Sequence, residues 1–218
     1  MLPWSAIETI MFDMDGTLLD LHFDNYFWQI LVPKQYAETH QVSLQEAESF
    51  IVAKYEEVHG TLDWYCLDYW QDELALDITA LKESISDKIR IRPNVLDVLT
   101  ALQSGDRNIL LITNAHPSSL NLKMKHTGIS DYFHRMISSH TLRLAKENQG
   151  FWETLQDMEH YNPETTVLFD DSLPVLRQAS REGIKHLYGI KKPDSQKPDI
   201  VNSEFSLVDD FAEFIPGN

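Results

Sequence analysis

The chain holds one cysteine, Cys66, among its 218 residues, so no disulfide closes within it and stability must come from a packed core. Positive charge is scarce: 18 Lys and Arg against 34 Asp and Glu leave a formal charge of −16. That balance argues against a sequence-independent grip on nucleic acid or on an anionic membrane surface, so an anionic substrate must be met by local positive charge. No apolar run is long enough to cross a bilayer, and the opening MLPWSAIETI lacks the basic and long apolar segments of a secretory signal. The expected setting is a reducing cytoplasm. Cys66, beside Trp64, Tyr65 and Leu67, is expected to be an inert core thiol.

Short apolar runs of strand character are present instead, at Thr9 to Phe12, Asn108 to Thr113, Met136 to Ser138, Thr166 to Phe169 and Ile184 to Tyr188. Helix-length segments separate most of them, which predicts an α/β fold: a Rossmann-like, mainly parallel sheet flanked by helices. One interval breaks the alternation. From about Leu21 to Arg92 there are helix signals and no convincing strand. Ser43 and Glu46 stand at capping-box spacing ahead of Leu44, Ala47, Ile51, Tyr55 and Val58, and Gly60 stops the run. Asp63 heads a segment to Leu74, and Asp77 heads one in which Ile78, Leu81, Ile85 and Ile89 share a face.

The expectation is a small helical bundle, residues 21–92, inserted into a sheet domain made of 1–20 and 93–218. Further helices are expected after Pro93 and Pro117, over Asn148 to His160, over Leu173 to Glu182 and over Leu207 to Phe214. KKPDSQKPD, from Lys191 to Asp199, reads as a linker.

Ligands of an open parallel sheet collect beyond the carboxyl ends of its strands. The first strand ends at Asp13 with Asp15 beyond it, NILLIT ends at Thr113 and Asn114, and TVLF ends at Asp170, Asp171 and Ser172. Four carboxylates meeting on one edge repel one another unless a hard cation neutralises them, and oxygen donors suit Mg²⁺. Each acid taken singly reads as a cap on the helix that follows its strand, but caps do not need doubled carboxylates at two strand ends. Asp13 and Asp15 project to the same side of an extended chain, so one can attack a bound group while the other moves a proton. Gly16 permits the sharp departure after them, and Thr17 is expected to offer a hydroxyl at the rim.

In this order, DMDGT (Asp13 to Thr17), LLITN (Leu110 to Asn114), a downstream lysine and FDDS (Phe169 to Ser172) resemble the four motifs of the haloacid dehalogenase superfamily. The helical insertion resembles that superfamily's cap of the first type. The resemblance implies that Asp13 is a nucleophile forming an aspartyl-phosphate and that Asp15 is the general acid, then base. It implies Mg²⁺ held by the Asp13 carboxylate, the Asp15 backbone carbonyl and the motif-four acids, with Asp171 favoured as direct ligand and Asp170 as support. Thr113 and Asn114 would bind the transferring phosphoryl, with a lysine balancing its charge. Lys146 is favoured for that lysine, although Glu147 replaces the proline that commonly follows it in the superfamily. Lys123 and Lys125 compete, with a solvated helix face as the expectation for both. Asp15 favours phosphate transfer over dehalogenation, because a halide leaving group needs no proton.

Eleven of the 23 aromatic residues fall between Phe23 and Trp70, a modest excess that fits a base-stacking face, although packing within the insertion is expected for most of them. LDLHFDNYFWQ, TLDWYCLDYWQ and LLITNAHP resemble a bacterial subgroup of purine 5′-nucleotidases acting on GMP and IMP. This implies hydrolysis of a purine nucleoside 5′-monophosphate and makes Asp24, Asn25 and His116 candidates for substrate contact. Two alternatives stand beside it: a phosphatase for sugar phosphates or other small phosphate monoesters, and a phospho-accepting signalling switch that gathers the same groups around Mg²⁺. Asp15 and the insertion speak against the switch. The remaining histidines, His59 and His140 among them, show no metal-ligand spacing and are given no zinc role.

Overall fold

The computed structural model describes residues 2–201 and 203–215; Met1, Asn202 and 216–218, all within the expected sheet domain, lie outside the described residues. Six strands form one sheet: β1 (Thr9–Phe12), β2 (Asn108–Thr113), β3 (Arg135–Ser138), β4 (Thr166–Phe169), β5 (His186–Ile190) and β6 (Ser206–Val208). Their spatial order is β3-β2-β1-β4-β5-β6, and every neighbouring pair is parallel. All four residues of β1 are buried, because both faces of the sheet are covered. Ile10 and Phe12 pack with Leu111, Phe169, Phe211 and Phe214 on one side, while Met11 packs with Leu110, Ile112, Phe151 and Trp152 on the other. A strand buried on both faces reads as a continuous apolar run, which is why β1, β2 and β4 stand out in the sequence.

Between β1 and β2 the chain is helical: α1 (His22–Tyr26), a π-helical turn (Phe27–Leu31), α2 (Val32–His40), α3 (Leu44–Val58), α4 (Leu67–Leu74) and α5 (Ile78–Ser84). The Ser43–Glu46 capping box forms: Ser43 N–H donates to Glu46 Oε2 at 2.9 Å and Glu46 N–H to Ser43 Oγ at 3.3 Å. The two ends of this helical insert run side by side, with Asp20 N–H donating to Arg90 O and Arg92 N–H to Leu18 O. Beyond it come α6 (Val95–Gln103), α7 (Pro117–Thr127), α8 (Ser139–Leu142), α9 (Phe151–Met158) and α10 (Leu173–Arg181).

Three expectations are corrected. The segment Leu207 to Phe214 is not a helix: its start is the edge strand β6, paired with β5, and only Phe211–Phe214 forms a 3₁₀ turn, with Asp210 accepting from Ala212 N–H. Burial of Val208 and Phe211 against the sheet outweighs the helical spacing. The Lys191 to Asp199 stretch is no linker. Pro193 O accepts from Leu21 N–H, and the buried Asp194 accepts from Asn25 Nδ2 at 2.7 Å, so this segment packs against the root of the insert. The segment from Asp63 to Leu74 is broken: Asp63–Tyr65 is a 3₁₀ turn and Cys66 is the N-cap of α4.

Ser43→Ala removes one half of the capping box. Urea unfolding is expected to show a loss of about 1 kcal/mol with an unchanged slope, whereas an unchanged midpoint would mean that the box contributes nothing to stability.

Candidate active site

The chain leaves β1 toward β2 on one side and, later, reaches β4 on the other, so a crevice opens at the carboxyl end of β1. Phe12 is level with Leu111 and Phe169, and Asp13 N–H donates to Phe169 O at 2.9 Å, which brings Asp13 beside Asp170. One oxygen each from Asp13, Asp170 and Asp171 lies within 4.8 Å of the other two. Lys146 Nζ sits among them, 2.5 Å from Asp13 Oδ1 and 2.7 Å from Asp170 Oδ2, and also donates to Ile112 O. Its backbone N–H is fixed by Asn114 Oδ1 at 2.9 Å. Asp170 Oδ1 accepts from Ser172 N–H. Gly16, at φ +84°, passes so close to Asp171 that a Cβ would meet Asp171 Oδ2 at 2.4 Å, so a side chain there would push the carboxylate aside.

One ammonium does not balance three carboxylates, Asp13 and Asp170 buried and Asp171 half-buried. Burial, eased by Lys146, raises Asp13 from an ordinary 3.8 to about 6, and burial with Asp13 and Asp170 nearby raises Asp171 well above that range. No hydrogen bond to the Asp171 carboxylate is found among the described residues. An oxygen-only donor set, short of positive charge, fits a hard divalent cation such as Mg²⁺.

Asp15 belongs to a second charge cluster. Lys123 Nζ lies 2.6 Å from both Asp15 Oδ1 and Asp24 Oδ2, and Lys82 Nζ lies 2.7 Å from Asp24 Oδ1. This chain of contacts runs from the sheet edge through α7 and α1 to α5 of the insert. Burial acts against the charge of every member. Asp24, with a lysine on each oxygen, is nonetheless held below the ordinary carboxylate range. Asp15 shares one lysine and faces Asp24 and Asp13, so burial and those charges raise it to about 7.

Lys123 therefore does not lie on a solvated helix face as expected; it is buried, and only Lys125 is exposed. Lys82 was not anticipated. Its signal was a lysine four residues after Ile78, within the apolar stripe of α5. Glu147, where the sequence shows only the lack of a proline, accepts from Asn114 Nδ2 and from Tyr65 Oη, both at 2.8 Å, and so ties the insert to the sheet edge. Thr17 is not at the rim: it is buried, and its hydroxyl has no partner among the described residues.

A cavity of about 440 Å³ opens over these groups. Asp13, Asp15, Asp170, Asp171, Thr113, Asn114 and Lys146 line it, as do Asp24, Asn25 and His116. The insert's share of the wall includes Trp28, Tyr55, Trp64 and Tyr65, all half-buried, whereas Phe23 and Phe27 are core. Asn25 Oδ1 accepts from Gln29, and both Asp24 oxygens are taken by lysines.

A family model described as haloacid dehalogenase-like hydrolase matches residues 7–179. The chain belongs to the haloacid dehalogenase-like hydrolases. It is 37% identical over 215 residues to the GMP/IMP nucleotidase YrfG of Escherichia coli, a match covering 99% of this chain and 97% of that protein. Among solved structures it is similar to a haloacid dehalogenase-type phosphatase of Thermococcus onnurineus, with 20% identity, 92% and 93% of the two chains covered and a TM-score of 0.76. It is also similar to the hydrolase YfnB of Bacillus subtilis, solved bound to magnesium, with 14% identity, 95% and 96% coverage and a TM-score of 0.64. At these identities the solved structures speak for the shared fold of this hydrolase family.

The raised carboxyls set a pH dependence for the metal-free protein. Between the ordinary 3.8 and folded values of about 6 and 7, the native state of Asp13 and Asp15 binds more protons than the unfolded chain, so stability present at acidic pH is lost as pH rises. The melting temperature of chelator-treated protein is expected to fall from about pH 5 to about pH 7.5, and Mg²⁺ to reverse much of that fall. A flat profile, or one indifferent to Mg²⁺, would contradict the charge assignment.

Proposed function

We propose that this hydrolase is a phosphatase that converts purine nucleoside 5′-monophosphates, of the GMP and IMP type, to nucleoside and phosphate through an aspartyl-phosphate at Asp13. In this reading residues 21–92 act as a cap on a catalytic core of 1–20 and 93–218. The observation that carries it is one cavity lined both by charged groups around Lys146 and by tryptophan and tyrosine rings of the insert. A phosphate ester bearing a planar base suits both kinds of lining, because a base stacks on aromatic rings. The identity to a GMP/IMP nucleotidase over nearly the whole length supports the same substrate class.

Asp13 attacks phosphorus, and a bond from its carboxylate forms as the bond to the 5′ oxygen breaks. Asp15 gives its proton to that oxygen, then takes one from the water that cleaves the acyl phosphate. A carboxyl that keeps its proton up to about 7 can serve in both directions near neutral pH. The Thr113 hydroxyl accepts from Ala115 N–H and so keeps its own hydrogen for a phosphoryl oxygen, beside Asn114, while Lys146 offsets the charge. The carboxylates of Asp13, Asp170 and Asp171 and the backbone carbonyl of Asp15 suit Mg²⁺. When bound, that ion supplies positive charge for the phosphoryl group.

Turnover of a panel of nucleoside monophosphates and sugar phosphates with Mg²⁺ tests the reading. Base stacking worth about 1–3 kcal/mol predicts kcat/KM for GMP and IMP at least about 5-fold above that for hexose phosphates, with Trp28→Ala and Trp64→Ala narrowing the gap. Equal or faster hexose phosphate hydrolysis would make this a sugar phosphatase, and a phosphoprotein that persists for minutes would make it a switch.

A further inference from the structure

Cys66, His116 and His140 come from three separate parts of the chain: the turn before α4, the N-cap of α7 and the first turn of α8. None stands at metal-ligand spacing from another, so the cluster is invisible in the sequence. In the fold, one ligand atom from each lies within 4.8 Å of the other two. Ligand atoms around one tetrahedral Zn²⁺, with bonds of about 2.0–2.3 Å, stand about 3.3–3.8 Å apart, so the three need draw together by only about 1 Å.

The surroundings fit a cation better than a packed core. Cys66 is a free, half-buried thiol and not the core thiol expected from its neighbours. His140 Nε2 is buried with no hydrogen-bond partner among the described residues. Burial and the neighbouring His116 hold the His140 imidazole below its ordinary range. The two rings meet edge to face at 5.0 Å. Asp68 Oδ2 lies 3.5 Å from His116 Nε2 on an exposed side chain, outside the group of three, so a fourth position is left to solvent. A thiolate with two imidazoles is the donor set of zinc-class ions and is unlike the all-oxygen set at Asp13, which keeps the two sites chemically distinct.

We propose that Cys66, His116 and His140 form a binding site for a thiophilic divalent cation of the Zn²⁺ class that clamps the helical insert to the sheet side. Binding releases the Cys66 proton. It also puts the His116 ring proton on Nδ1, which gives up the long 3.3 Å bond accepted from Ser118 N–H. The ion would pin Cys66, next to Tyr65, onto His116, and both Tyr65 and His116 line the cavity. An occupied clamp therefore slows turnover. That consequence rests on the reading of the insert as a cap that must move; the site itself does not.

The test is titration of the protein with Co²⁺ in saturating Mg²⁺, followed by its absorption spectrum, and with Zn²⁺, followed by calorimetry. One equivalent is expected to bind with a near-ultraviolet thiolate-to-Co²⁺ charge-transfer band and the visible bands of tetrahedral Co²⁺. Cys66→Ser is expected to lose the charge-transfer band, and Cys66→Ser and His140→Ala each to weaken binding about tenfold or more. Absence of the band in the unmodified protein, or unchanged affinity in His140→Ala, would overturn the site. Turnover with and without Zn²⁺, compared within each variant, reads the clamp. Inhibition equal in all three proteins places the ion at the carboxylates and overturns it, as does a bound ion with no effect on turnover.

Discussion

The carboxylates of Asp13, Asp170 and Asp171 share one ammonium, Lys146, at the edge of a sheet whose faces are both covered. Their unbalanced negative charge is the constraint on which the rest of the site depends. Buried like charges are unfavourable unless protonated or met by a cation, and the fold does not relax the problem by moving them apart. Gly16 leaves no space for a side chain beside Asp171, the parallel register holds Asp13 against Asp170, and Asn114 fixes the backbone of Lys146. In the proposed reading a divalent cation and a phosphoryl group complete the arrangement.

The second cluster differs in its balance. Asp15 and Asp24 face Lys82 and Lys123, two carboxylates to two ammoniums, so it asks for no further ion. What it does is divide the charge unequally. Asp24 takes the larger share of the lysines and stays ionised, which leaves Asp15 able to hold a proton near neutrality. Because Asp24 and Lys82 lie in the insert while Lys123 and Asp15 lie beside the sheet, Asp15, the proposed proton-transfer group, is supported from both. Glu147 adds a second tie across the same gap through Tyr65.

Much of this was legible in the sequence because it is carried by local signals. β1, β2 and β4 are doubly buried and read as apolar runs, and the polar residues at their ends mark the crevice. The Ser43 and Asp77 caps were readable from spacing alone. Features set by long-range pairing were not. β6 is a short edge strand whose residues also fit a helix, and the Lys191 to Asp199 stretch looks loose until Asp194 meets Asn25. The ordinary reading of a lysine on a helix is a solvated one, and nothing local separates Lys123 from Lys125. Only the burial of one turn of α7 against α5 does so. Cys66, His116 and His140 illustrate the same limit, since their neighbourhood exists only in the fold.

The most direct measurement of the central claim is chemical trapping of the intermediate. The enzyme turning over a phosphate monoester with Mg²⁺ is quenched, reduced with borohydride and mapped by mass spectrometry. The account predicts conversion of Asp13, and no other acid, to homoserine, with Asp15, Asp170 and Asp171 intact. Modification at Asp15 or Asp171 in place of Asp13, or turnover without any trapped acyl phosphate, would contradict it.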